Sequence, residues 1–548
     1  MKKIMSVLLA LIIVVGCCVP AFAVDQSTAR TPIPVILISG DGDTLADANG
    51  NPIYRASDIF KTLQSVEGGN ATEAIANVLL PFLIEGVAFD EWDNYYAALE
   101  KEIGDLFANV RLDENGEVTD GSGISQERKD YMQNCINKDK KDKNGTYGLY
   151  DYRFWYDWRL DPLETADKLY EYVQAIKKVT GHEKVGIVAR CLGTSVMVAY
   201  ISKYGVSDLQ GVGFNGSVAA GAEIISESIS GKFHLDLNAI ERVIDDLGAL
   251  GMADLDPFIK TSIELLDASG VFDAVKGVTK EYVYYKIVEG VTSAIALSTF
   301  FTWPSYWAAV SEEDYDDAIY HVFGEEDSEK YEKYEGLIGK LDNYDKVVRN
   351  NLTDILLSIK EDGANVGVIS KYGFQIVPIV ESYDAVADQF ASVNKSSFGA
   401  TTSTVYDTLT DKQIEGKGAY ISPDKQIDAS TCVYPEYTWF VKGSSHSNWS
   451  KYENDILAAI VSSEKQLGFA DFPYSQFAVY NYDDDSLVPM TEENCHTENW
   501  VADKKYDEPD TLLGRVFILV KALLKWFAQL FELVSGEKEF GGIDNKFN

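Results

Sequence analysis

The sequence predicts an α/β protein: a mainly parallel sheet with helices on both faces and a helical block set between two of its strands. Three observations predict it. From residue 35 to 216 the clearest segments read strand, helix, strand, helix, strand, an order that calls for parallel pairing through crossovers. The strand candidates are short continuous apolar runs, as strands covered on both faces must be. From about 222 to 365 the periodicity turns helical, and strand signals resume only at GFQIVPIV and YTWFVKG.

Residues 1–23, MKKIMSVLLALIIVVGCCVPAFA, stand apart from this scheme. Lys2 and Lys3 precede a short apolar run, then Pro20 and Ala21-Phe22-Ala23, the pattern of a secretory signal cut after Ala23. The run is too short and wrongly flanked for a membrane span. Val14-Val15-Gly16-Cys17 offers a competing lipoprotein cut that would leave a lipid on Cys17. Either cut implies a protein secreted from, or held at the surface of, a bacterium.

The core then opens with the run 35–38, and Asn49-Gly50-Asn51-Pro52 is a strong turn signal. The nearby Asp and Gly residues do not fit the calcium-loop spacing. In 164–179, Ala166, Leu169, Val173 and Ile176 share one helical face. A buried strand at 185–189 follows, then a helix from about Thr194 and a strand at 209–215. These make the first part of the core, 24–221. Residues 222–365 form a helical cap over the carboxyl edge of the sheet, where open α/β sheets bind ligands. Residues 366–505 complete the core, with soft boundaries. The tail, 506–548, carries a helix with a narrow polar stripe of Lys521, Lys525, Gln529 and Glu532. It either docks on the protein's own apolar surface or lies on lipid through 512–534. Two lysines mid-segment argue against a span.

Totals narrow the function. The 548 residues carry 86 acidic against 48 basic side chains, a formal charge of −38. Such a surface repels phosphate backbones, so no nucleic-acid partner is expected, and the acidity reads as solubility. Cleavage after Ala23 leaves Cys135, Cys191, Cys432 and Cys495, too few and too scattered for a disulfide framework. With no Cys-x-x-Cys or His-x-x-x-His spacing, no metal site is expected, and no cofactor is required.

The segment GIVARCLGTS, 186–195, carries the chemistry. A nucleophile held on a sharp strand-to-helix turn needs small residues two before and two after it, and Ala189 and Gly193 flank Cys191 in that way. The following helix aims its N–H groups at the sulfur, which favours the thiolate. Relative to Gly-x-Ser-x-Gly, Ala replaces the first Gly and Cys the Ser; five residues alone also fit a core cysteine.

With YDWRLDPLETADKLYEYV ahead of GHEKVGIVARCLGTS, the chain resembles the lecithin:cholesterol acyltransferase-like branch of the α/β-hydrolases, in which a YDWR segment precedes the nucleophile helix by a similar interval. PVILISGDGDTL resembles that family's first strand and oxyanion loop, with Ser39 in place of a proline. The likeness covers 32–45, 150–216 and 370–450 and fades across the cap. It implies an α/β-hydrolase fold, Cys191 as nucleophile, and oxyanion donors at the backbone N–H of Leu192 and of Asp41. The base should be a histidine late in the chain: His446, in a loop after YTWFVKG, is preferred over His496, whereas His182 and His234 come too early and His321 lies in the cap. The acid belongs after GFQIVPIV. Asp388 occupies the place of the family's Gly-Asp-Gly-Thr-Val aspartate, its flanking glycines replaced by Ala387 and Gln389. Asp384, Asp424 and Asp428 are the other carboxylates within reach.

The expectation is a secreted acyl-ester hydrolase or acyltransferase, lipase- or phospholipase-like, acting on a lipid or small ester through Cys191, His446 and Asp388. Cap aromatics Phe300, Phe301, Trp303, Tyr306 and Trp307 either shape an acyl groove or form ordinary cap core. The alternatives are a thioesterase-type acyltransferase and an inactive relative that binds lipid or a cell-surface partner.

Overall fold

The computed structural model describes residues 29–40, 45–54, 78, 81–87, 89–236, 239, 280–446, 448–481 and 486–495. Its centre is an eight-stranded sheet. The strands are β1 (Val35–Ile38), β2 (Tyr152–Phe154), β3 (Val185–Cys191), β4 (Leu209–Ser217), β5 (Asn365–Tyr372), β6 (Thr438–Lys442), β7 (Phe477–Asn481) and β8 (Ser486–Pro489). They lie in the order β8-β7-β6-β5-β4-β3-β1-β2. Every neighbouring pair is parallel except β7 with β8 at one edge.

Helices cover both faces, and the residue parity of the strands shows it. Ile36 and Ile38 of β1, Ile187 and Ala189 of β3, and Val366 and Val368 of β5 join one core with helices α2 (Pro162–Thr180) and α3 (Gly193–Tyr204). Val35, Leu37, Val188 and Ile369 point the other way, onto a helix at Lys451–Ser462. Successive side chains of a strand alternate faces, so both faces must be apolar for the strand to be buried. The predicted face of α2 is the buried one: Ala166, Leu169, Val173 and Ile176 are all fully covered. Its ends are equally legible. The Asp161 carboxylate accepts the Leu163 N–H at 2.8 Å, Pro162 opens the first turn, and Gly181 closes the last at φ 73°.

Two expectations need correction. GFQIVPIV forms no strand; the strand is the preceding NVGVISKY of β5. Pro378 has no N–H to give to a ladder, whereas β5 runs parallel to both β4 and β6. The cap, moreover, is not built from one insertion. The described residues from 222 to 364 do form helices, among them α4 (Glu223–Ser230), α5 (Lys280–Ser298), α6 (Tyr315–Phe323), α7 (Glu335–Val347) and α8 (Leu352–Glu361). Yet α5 packs along an earlier helix, α1 (Asp93–Leu106), that comes before β2. Gly290 of α5 faces Tyr95 and Tyr96 so closely that an added Cβ would lie 2.9 Å from their rings. The helical layer therefore has two chain segments.

The cap aromatics fill the interior of this layer. Phe301, Trp303, Tyr306 and Trp307 are buried; Phe300 is half-buried and stacks on Trp303 at 4.4 Å. The indole N–H of Trp303 donates to the Val110 carbonyl and that of Trp307 to the Phe301 carbonyl. This is core packing, with both indoles satisfied. Among the described residues no helix is long and apolar enough to cross a membrane. The leader 1–23 with Cys17, and the tail segment 512–534, lie outside the described residues.

Candidate active site

Because the strands are parallel, the loops leaving β3, β5 and β6 emerge at one edge of the sheet. β3 ends on Cys191, which sits at φ 48°. A non-glycine residue in this region stores roughly 1–2 kcal/mol of backbone strain and needs surrounding structure to hold it there. That structure is visible. The Thr194 hydroxyl donates to the Cys191 carbonyl at 2.6 Å and accepts the Val218 N–H at 3.2 Å, tying the turn to the end of β4. Helix α3 begins at once, at Gly193.

The small flanking residues have a steric cause. A Cβ on Gly193 would lie 2.7 Å from the Ser39 carbonyl oxygen and 2.9 Å from that of Ile38. Ala189 is completely buried. Gly40 comes closer than Gly193: a Cβ there would lie 2.5 Å from Cys191 Cβ and 3.0 Å from its Sγ, with the Leu192 nitrogen at 3.3 Å. The chain leaving β1 thus runs directly against the thiol and the first N–H of the turn, where an oxyanion donor is required. Asp41 itself lies outside the described residues.

The loops after β5 and β6 bring Asp388 and His446 together. His446 Nδ1 lies 2.8 Å from Asp388 Oδ2, and the His446 N–H donates to the Asp388 carbonyl, also at 2.8 Å. The other carboxylate oxygen, Oδ1, accepts the N–H groups of Phe390 at 3.1 Å and Ala391 at 2.9 Å. Burial pushes the Asp388 carboxyl upward. The imidazole of His446, the Ala391 N–H and the Lys371 ammonium outweigh it and hold the group below its ordinary value. Gln389, at φ 84°, makes the turn that lets one carboxylate reach all these donors. The Phe390 ring stacks on the imidazole at 4.7 Å.

Cys191 and this pair lie at the same end of β4. Cys191 is in register with Ser217, and a Cβ on the adjacent Gly216 would lie 3.5 Å from both Cε1 and Nδ1 of His446. His446 Nε2 is buried and makes no hydrogen bond. Cys191, His446 and Asp388 are all buried.

No protein-family model and no curated protein matches the chain. One solved structure that does, described as the crystal structure of the Tle4–Tli4 complex, aligns over 80% of this chain and 98% of its own, at 11% identity and a TM-score of 0.29. A likeness at that level carries no argument about function.

Asp424 and Asp428 are committed to other partners. Asp424 accepts from Lys442 at 2.9 Å and from the Tyr372 hydroxyl at 3.0 Å. Asp428 caps a turn through the Ser430 N–H and faces Lys417 at 3.3 Å. The Asp384 carbonyl receives the Val405 N–H. His182 packs edge-on against Tyr147, His234 stacks on Tyr383, and His321 sits against Phe233 in the helical layer. His496 lies outside the described residues. Among the described residues no group of three or more His, Cys, Asp or Glu side chains is arranged to hold a metal ion.

The YDWR segment acts on this site through its supports. The Tyr156 hydroxyl donates to the Ser39 carbonyl at 2.9 Å, one residue before Gly40. Arg159, fully buried, makes a forked contact with Asp157 at 2.9 and 2.7 Å and reaches Ser122 and the Val110 carbonyl. Trp158 meets Trp303 edge-on at 5.0 Å. In the sequence the motif signals only by its spacing from the elbow; the work of its polar groups becomes visible in the fold.

Proposed function

We propose that the chain is an α/β-hydrolase resembling the lecithin:cholesterol acyltransferase-like branch, and that it hydrolyses or transfers an acyl group from a lipid or small ester. Its site of action would be outside the bacterial cytoplasm. The observation that carries the reading is the 2.8 Å contact of His446 with Asp388 at the sheet end where Cys191 occupies a strained turn.

In this mechanism His446 takes the thiol proton and the Cys191 thiolate attacks the ester carbonyl carbon. The C–S bond forms, the C–O bond breaks, and the alcohol leaves with the proton carried by His446. Water, or an acceptor alcohol, then gives a proton to His446 and attacks the thioester. The C–S bond breaks and the thiol is restored. Asp388 keeps the Nδ1 proton in place and balances the imidazolium. The backbone N–H groups of Leu192 and Asp41 would bind the oxyanion, each worth roughly 3–4 kcal/mol of barrier.

Intact-mass measurement after incubation with p-nitrophenyl butyrate and with a butyryl thioester tests the reading. The expected result is one butyryl group on Cys191 and none on Cys191→Ala. A thioester that acylates while the oxygen ester does not would favour the thioesterase-type acyltransferase. No adduct with either, from a folded protein, overturns the enzymatic reading and leaves the lipid- or surface-binding one.

A further inference from the structure

The strand that precedes the catalytic acid carries a lysine with no exposed surface. Lys371 of β5 is fully buried, in a strand whose other residues are also buried. Its ammonium donates to the His446 carbonyl at 3.0 Å and to the Asn448 carbonyl at 2.5 Å, and it lies 3.8 Å from the centre of the Trp449 ring. Glu453, also fully buried, is its counter-charge at 3.6 Å. That carboxylate is held in turn by the Ser444 hydroxyl at 2.9 Å and the Asn215 amide at 3.2 Å.

Burying an ammonium is costly unless each of its bonds is used, and a hydrophobic residue of the same volume is often at least as stable. The two shortest bonds here go to backbone carbonyls of the loop that carries the imidazole. Burial holds the Lys371 amine below its ordinary pKa, against the Glu453 and Asp388 carboxylates that favour its charge; the Arg190 guanidinium adds to the lowering.

We infer that Lys371 is a positioning residue: its bonds to the His446 and Asn448 carbonyls fix the loop after β6 so that the His446 imidazole stays on Asp388 at the sheet end that carries Cys191. The inference rests on the acyl-transfer reading for its effect on rate, but the loop's order can be read without any substrate.

The double variant Lys371→Met with Glu453→Gln removes both buried charges together, so no lone charge is left to unfold the protein, and the introduced amide oxygen still accepts from Ser444. Hydrogen exchange followed by mass spectrometry should show the peptide spanning 443–450 exchanging at least tenfold faster, with peptides of α3 unchanged. Butyryl-ester turnover should lose roughly 10- to 100-fold in kcat with KM within about twofold, since a misplaced base weakens only the transition state. In Glu453→Gln alone Lys371 can shed its proton, and the neutral amine still donates to both carbonyls, so the peptide should stay protected. Unchanged exchange in the double variant overturns the inference. So does equal loss of protection in both variants, which would assign the loop's order to Glu453. If the wild-type protein turns over no ester yet the exchange pattern holds, the acyl-transfer reading fails and the role of Lys371 stands.

Discussion

Replacing Asp388 by Asn separates the charge of the acid from its shape, and the hydrogen bonds dictate how the amide must sit. Oδ1 of Asp388 accepts two backbone N–H groups, from Phe390 and Ala391, while Oδ2 faces His446 Nδ1. An amide has one acceptor oxygen. Turning its NH₂ toward two N–H donors would break both bonds in a fully buried site, so the oxygen stays with the backbone and the NH₂ faces the imidazole. His446 Nδ1 must then accept, its proton moves to Nε2, and the nitrogen that should take the Cys191 proton is already occupied. Loss of the correct tautomer and of the charge opposite an imidazolium costs roughly 10³- to 10⁴-fold in acylation, or about 4–5.5 kcal/mol. The assay is the single-turnover rate of Cys191 butyrylation at pH 7–8, with the melting temperature checked in parallel. A folded Asp388→Asn protein that acylates within tenfold of wild type refutes the reasoning, because an Nδ1–carboxylate bond would then play no part in moving the proton.

Two further perturbations read the site's supports. Gly40→Ala forces a Cβ to within 2.5 Å of Cys191 Cβ, so β1 or the turn must move; the expected outcome is a stability loss of about 1–3 kcal/mol in thermal melts and at least 100-fold slower acylation, and wild-type behaviour in both would disprove the close approach. Asp161 caps α2 from a buried position that raises its carboxyl from 3.8 to about 6. A raised folded value favours the fold below the unfolded pKa and loses that contribution as pH rises toward 6. The difference, 6 − 3.8, corresponds to about 3 kcal/mol. Asp161→Asn keeps a competent cap and should melt higher than wild type at pH 8 and alike near pH 4; an equal offset at both pH values would contradict the assignment.

Helix α2 and the elbow were legible because their signals are local. A capping Asp, an opening Pro and a left-handed Gly bracket an apolar face, and five residues with small flanks announce a strained turn. β5 was misread for an equally physical reason. NVGVISKY contains a lysine, which argues against a strand covered on both faces, while the more apolar GFQIVPIV next to it does not. The lysine is buried because a loop nearly eighty residues later offers it two carbonyls and Glu453 a counter-charge. No window on the sequence contains both partners. The pairing of α5 with α1 was hidden in the same way, by a separation of almost two hundred residues.

The choice among three carboxylates shows where sequence reasoning ends and charge balance takes over. Asp388, Asp424 and Asp428 all precede His446 at plausible intervals, and Asp424 and Asp428 are closer to it in sequence. Asp424, however, is matched by the buried ammonium of Lys442, and Asp428 serves a turn beside Lys417. A carboxylate already neutralised by a nearby cation has little field left to stabilise an imidazolium. Asp388 is held instead by two N–H dipoles and His446 itself, while the Lys371 ammonium spends its direct bonds on the histidine loop's carbonyls. Its negative charge is therefore kept ionised but left available in the direction of Nδ1, which is what a base that must accept a proton at Nε2 requires. The glycine that would have marked such a turn in the sequence is Gln389, which adopts the left-handed φ of 84° despite its Cβ. That concealed strain is why Asp388 was the least legible residue of the candidate site.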